Sequence, residues 1–404
     1  MPLVLMLIGL TAYAVLGGAD FGAAFWQFGA FGEHGGALRE HAYRAMGPVW
    51  EANHVWLVFV LVICWTAYPQ AFASIFSTLT VPLFIAAIGI ILRGTAYAVH
   101  AGTAREIERR TIDGLFSISS LLTPFALGTA VGAIASGRVP VGNAAGDELT
   151  SWLNPTSLLV GTLAVASGAY VAAVYLAGDA ARAGLGELAA AFRTRALGAG
   201  VVAGAIALVG LAVVAYDAER LSDNLFAWPA LAAVAASAAA GLATLEFVRR
   251  WRFEAARYGA SAAVASVVVG WALAQRPELL PGLTVEEAAA GRPVLIATIV
   301  GVAVGAVILI PSLALLFGLV LGGRFDEQAA ERTSDRATLA PRRSRRSLTA
   351  MAAVAGALGL LLTLAFDGGP FLALGVLGLL TFVALASVAL GAAAAEDDGR
   401  KERL

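Results

Sequence analysis

Apolar runs of about 20 residues recur along this chain, each long enough to cross a bilayer as a helix. Short polar or Gly/Pro-containing stretches separate them. By length, about eleven spans are expected, covering residues 3–30, 48–68, 73–99, 114–136, 153–178, 196–216, 227–248, 255–275, 293–322, 347–366 and 370–392. Pro69-Gln70 and Pro82 mark a tight return between the second and third runs. Asn154-Pro155 opens the fifth, since proline suits a first helical turn. Pro311 lies inside the ninth, where a kink is expected. The pattern is that of an all-α integral membrane protein.

Composition agrees. The chain is 59% hydrophobic and only 14% charged over 404 residues, with a mean hydropathy of +0.80. A soluble protein of this length carries far more charge on its surface. Glycine and alanine are abundant, which lets membrane helices approach closely. Cys64 is the lone cysteine, which excludes an intrachain disulfide and any cysteine-based zinc or iron–sulfur site. No basic residue precedes the first run, so it is read as a retained helix rather than a signal peptide.

Net charge is only -1, so the distribution of charge matters more than its sum. Connections after odd-numbered spans carry most of the arginines, among them Arg39, Arg105, Arg182, Arg249 and the Arg342–Arg346 cluster. Connections after even-numbered spans hold only Arg138, Arg220, Arg276 and Arg292. The positive-inside rule then puts the N-terminus outside and the C-terminus in the cytoplasm of a multi-pass protein in a prokaryotic cell membrane. Four segments follow: a membrane domain over 1–324, a basic cytoplasmic linker over 325–346, a two-helix membrane segment over 347–392 and a charged tail over 393–404.

Candidate chemistry gathers in two stretches. The first turns of G-P-V-W-E-A-N-H-V-W carry Glu51, Asn53 and His54, flanked by Trp50 and Trp56. Glu51 and His54 are three apart and share one helix face. A second acid, Asp20, sits in G-G-A-D-F-G within the first span. An acid at bilayer depth is costly, by roughly 2.5 kcal/mol or more near the centre, and marks a functional site by default. Asp20 lies roughly 16 Å from the cytoplasmic end of its helix at 1.5 Å per residue. His100 ends the third span, and Arg93 lies about two turns deeper. Together these groups suit a ladder of protonatable side chains leading inward from the cytoplasm.

Plainer readings stand beside that one. Asp20 can pair with Arg93, Glu51 can be an acid at a helix start, and His54 can be a packing histidine. The tryptophans suit interfacial anchors. The Arg342–Arg346 cluster suits a positive-inside stop, and His34 and His41 read as solvated loop residues. No metal site is expected: Glu51-x-x-His54 has no second copy of the kind that di-iron bundles use. Only His54 and His100 loosely suit a haem pair, and no CxxCH, Walker A or dinucleotide fingerprint occurs. No nucleic-acid partner is expected.

The motifs Y-A-V-L-G-G-A-D-F-G, G-P-V-W-E-A-N-H-V-W-L, I-L-R-G-T-A-Y and L-N-P-T-S-L-L-V-G resemble subunit II of cytochrome bd-type quinol oxidase. The resemblance covers about residues 1–324 and is densest through the fifth span. It implies two four-helix bundles plus a ninth helix, so the two C-terminal helices are additional. It implies a partner, subunit I, that carries haem b, haem d and the quinol site. It implies an electrogenic complex that oxidises quinol, reduces oxygen to water and draws protons from the cytoplasm. This chain is then the non-haem subunit, not catalytic alone, with Asp20 and Glu51 carrying protons and His54 tuning Glu51. Some members of the family hold a quinone within subunit II. A small accessory subunit is a further partner, and the extra helices could replace it or cover the edge of the complex. After Arg93 the sequence reads A-Y-A-V-H, where the family pattern suggests a larger or basic end, so the role of His100 stays open. Two competing readings are a proton-coupled transporter, against which no inverted repeat is found, and a structural scaffold for a haem subunit.

Overall fold

The computed structural model describes residues 1–28, 35–46, 50–100, 106–321, 351 and 353–362, with isolated positions between 371 and 385. The side chains of Trp50, Glu51 and His100 lie outside the described set. The chain divides into two units, Met1–Ala306 and Val307–Leu404.

Helices make up nearly all of the structure. In order they are α1 (Pro2–Ala12), a π-helical turn (Tyr13–Gly17), α2 (Gly18–Phe28), α3 (Gly35–Met46), α4 (Trp50–Ala67), α5 (Pro69–Thr78), α6 (Thr80–His100) and α7 (Glu106–Ala135). Then come α8 (Pro155–Arg182), α9 (Gly186–Asp217), α10 (Glu219–Phe226), α11 (Ala230–Arg249) and α12 (Phe253–Gln275). A small antiparallel hairpin, β1 (Glu278–Leu280) and β2 (Leu283–Thr284), precedes α13 (Arg292–Leu321).

Among the described residues, seven helices are long and apolar enough to cross a membrane, or eight if one bent pair counts as a single span. The seven coincide with the first, fourth to eighth and ninth of the expected runs. The expected third run is the bent pair: α5 and α6 meet at 84°, so the tight return is a separate short helix. Pro69 starts it, as its missing N–H suits a first turn. The second run is the shorter apolar helix Ala52–Ala67. The tenth contains a short apolar helix, Ala353–Leu362, and most of the eleventh lies outside the described residues.

Helix α8 is central. It packs along α2, α7, α9 and α12. Its start is capped by Asn154, whose side chain accepts from the Ser157 N–H at 2.9 Å. Its Tyr170, Val171 and Val174 form a core with Phe192 of α9, Val248 of α11 and Phe253 of α12. One end of this helix group is tied by Asp217, which takes two bonds from Arg138 at 3.0 and 2.7 Å and two from Thr156 at 3.0 and 2.6 Å. The other end holds an ion-pair chain linking Glu254, Arg182, Asp179 and Arg257.

The outward faces are apolar. Leu208 on α9 is 71% exposed and Val304 on α13 is 57% exposed. Water would not tolerate such continuous surface on a soluble monomer; lipid does. In the second unit, the Ala353–Leu362 helix meets later residues closely: a Cβ on Gly378 would stand 2.9 Å from the Gly359 Cα.

Candidate functional site

Three features of α2 and its approach place Asp20. The first is the π-helical turn Tyr13–Gly17, whose closing bond runs from the Gly18 N–H to the Tyr13 carbonyl. Such turns insert an extra residue into a helix and occur often at functional sites. The second is Asn53 of α4, which donates to the Leu16 carbonyl within that turn at 3.2 Å. The third is a backbone-to-backbone seam with α8. A Cβ on Gly168 would lie 2.7 Å from the Gly18 carbonyl oxygen, and one on Gly22 would fall on the Gly168 carbonyl. Glycine is required on both sides of that contact. Trp26 Nε1 reinforces it by donating to the Ala169 carbonyl at 2.8 Å.

Held this way, Asp20 meets Arg93 of α6. The carboxylate and guanidinium stand 2.7 Å apart, with both side chains nearly fully buried. Arg93 also donates to the Asp20 backbone carbonyl at 3.2 Å. Its guanidinium lies over the ring of Phe21 at 4.4 Å and near that of Phe116 at 5.2 Å. The aromatic faces add cation–π attraction at a site sheltered from water. The surrounding wall is shared by α2, α6 and α7.

His54 comes to the same place. Its ring meets the edges of Tyr13 at 6.0 Å and Phe21 at 5.8 Å. Asp20, Asn53, His54 and Arg93 are thus brought together from three helices, α2, α4 and α6. Glu51 is on the first turn of α4, one turn before His54. Trp56 packs its ring against Phe59 at 6.3 Å. His100 is the last residue of α6, two turns beyond Arg93.

Two expectations need correction or supplement. His41 is not a solvated loop residue. It sits on α3, half-buried, with Nε2 3.3 Å from the Leu176 carbonyl and its ring 5.7 Å from Phe192. The amphipathic helix Gly35–Met46 was too polar to register as a membrane span, which hid its docking face. His34 lies outside the described residues. Sequence reasoning also passed over Tyr13, which is only 7% exposed beside His54. The signal available was Gly17, four residues on, which clears space for its ring.

Among the described residues, no group of three or more His, Cys, Asp or Glu side chains is placed to hold a metal ion. The arrangement is a buried ion pair with polar neighbours inside an apolar helix bundle.

Comparison with known proteins gives this arrangement a context. Residues 1–320 match the family described as cytochrome bd terminal oxidase subunit II. A putative cytochrome bd menaquinol oxidase subunit II from Bacillus subtilis (strain 168) is 28% identical over 112 residues, 28% of this chain and 32% of that protein. A cytochrome bd ubiquinol oxidase subunit 2 from the same organism is 26% identical over 125 residues, 31% of this chain and 36% of that protein. These matches span about a third of the length of either relative. A solved structure of bd oxidase from Geobacillus thermodenitrificans aligns at a TM-score of 0.63 and 27% identity, covering 79% of this chain and 97% of that one.

Proposed function

Because the chain belongs to the cytochrome bd terminal oxidase subunit II family, we propose that it is the membrane subunit, without haem of its own, of a quinol-oxidising terminal oxidase. In this reading it docks on a haem-bearing subunit I, which holds haem b and haem d, and stabilises it. It also conducts protons from the cytoplasm toward the site of oxygen reduction. Arginine asymmetry supports an outward N-terminus and a cytoplasmic C-terminus.

One observation carries the proton role: the buried Asp20–Arg93 pair, with Asn53 and His54 beside it and Glu51 one turn away. Oxygen reduction consumes protons, and the bilayer interior supplies none. A path therefore needs side chains that gain and lose a proton at depth. Glu51 is at the cytoplasmic mouth, with His54 adjusting it from the next turn. Asp20 lies deeper and comes after Glu51 in the order of transfer, before the haem of the partner. Arg93 offsets the negative charge that a deprotonated Asp20 leaves at a site closed to bulk solvent, so the acid can reset between protons.

Two experiments test this. A tagged chain purified from membranes should bring a haem-bearing partner with it; a colourless single chain would instead favour a proton-coupled transporter. Within the purified complex, Glu51→Gln and Asp20→Asn should each slow oxygen consumption at least about tenfold, equal to ~1.4 kcal/mol on the barrier. The haem spectrum should be preserved, and Glu51→Asp should be partly active. Wild-type turnover in both amide variants would show that the acids are structural.

A further inference from the structure

Tyr13 packs against His54 and against Phe21, the residue after Asp20, and the fold gives that position special construction. The π-helical turn begins at Tyr13. Gly17 leaves room for its ring: a Cβ there would stand 2.9 Å from two ring carbons. The ring meets His54 at 6.0 Å and Phe21 at 6.5 Å, both edge-on. Phe21 also carries the Arg93 guanidinium over its ring at 4.4 Å, so the Tyr13 ring and the ion pair share one aromatic neighbour.

For these ring contacts a phenylalanine would serve as well. The hydroxyl is what tyrosine adds, and it is buried with no hydrogen-bond partner in the protein. Oδ2 of Asp20 is in the same condition. Buried polar atoms are satisfied by protein or by water. Each such atom calls for a water partner.

We propose that Tyr13 is a further proton-conducting residue: its phenol, joined to Asp20 by buried water, hands protons between the His54 side and the Asp20–Arg93 pair. The proposal rests on the relay reading above. In each transfer the phenol oxygen accepts a proton on a lone pair while its own O–H bond breaks toward the next water. One O–H bond forms and one breaks, the phenol ends neutral, and rotation about C–O resets it. No electron moves. Tyr13 thereby bridges α1 and α4 to α2 without itself storing charge.

The test uses the intact complex. Tyr13→Phe removes one oxygen and keeps the ring, so haem content and the KM for quinol should match wild type. Turnover should fall about tenfold, and the ratio of rates in H2O and D2O should rise as proton delivery becomes limiting. Asp20→Asn is measured alongside. A slow Asp20→Asn with Tyr13→Phe at the wild-type rate and isotope ratio would overturn the role of Tyr13 and leave the relay standing. Wild-type rates in both would defeat the relay and this inference with it. A Tyr13→Phe complex slowed only in proportion to lost haem would show a packing role and also overturn it.

Discussion

Removing one partner of the Asp20–Arg93 pair should destabilise the protein far more than removing both. The two charges are 2.7 Å apart and both side chains are nearly fully buried. At an effective dielectric of roughly 20 their attraction is about 6 kcal/mol. Desolvation opposes this by several kcal/mol per ion, so the intact pair contributes little net stability. Arg93→Met deletes the attraction and leaves the cost of a buried carboxylate, about 3–5 kcal/mol in comparable cases. It also forfeits the stacking over Phe21. Arg93→Met with Asp20→Asn leaves no charge to solvate, and much of the loss should return. At fixed temperature, ~3 kcal/mol is on the order of a hundredfold in the unfolding equilibrium. The readout is thermal denaturation of the purified complex at one scan rate, because membrane complexes unfold irreversibly. All four members of the double-mutant cycle are needed. The double variant should recover stability but not turnover, since the acid is gone. An Arg93→Met complex as stable as wild type, or no recovery in the double variant, would mean that bulk solvent screens the pair and the reasoning fails.

Other expectations follow from the same structure. Gly22→Ala should separate α2 from α8, because its Cβ would fall on the Gly168 carbonyl; we expect a cost of about 1–3 kcal/mol or more, read as loss of assembled complex. Deleting residues 347–392, where Asp367 is the lone acid and no basic or histidine residue occurs, should lower the stability of the complex more than turnover per intact complex. Near-zero turnover in a stable, haem-loaded deletion complex would contradict that. A reporter fused after Leu404 should be active only in the cytoplasm, and activity outside would reverse the assigned orientation.

Much of this was written in the hydrophobic pattern. Seven apolar runs became long helices because length and apolarity alone decide whether a helix suits a bilayer. The two acids stood out because charge is rare in such runs. What the pattern missed follows from its one-dimensional nature. The 84° break between α5 and α6 leaves apolarity nearly unchanged on both sides, so two directions read as one run. Helix α3 was hidden by its polarity, although His41 anchors it to the Leu176 carbonyl. The pairing of Asp20 with Arg93 was among the plainer readings of the sequence, but its geometry depends on how α6 lies against α2. Tyr13 is one aromatic residue within a long apolar run, with nothing in the pattern to single it out. Only a three-dimensional arrangement shows that its hydroxyl is enclosed.

The π-helical turn at Tyr13–Gly17 also sets the tolerance of this helix to insertion and deletion. Such a turn is in effect one residue added to an α-helix. Excising a single residue from it would restore unbroken α geometry and leave everything downstream near its present orientation, at the loss of the widened turn that holds Tyr13 and receives Asn53. Excising one from α1 instead, with the turn intact, would swing everything downstream by about 100° relative to everything upstream. Asp20 would then turn away from Arg93, and Gly18 and Gly22 would turn away from Gly168. The widened turn is thus the one place in this helix where the chain can lose a residue without turning the acid away from its partner.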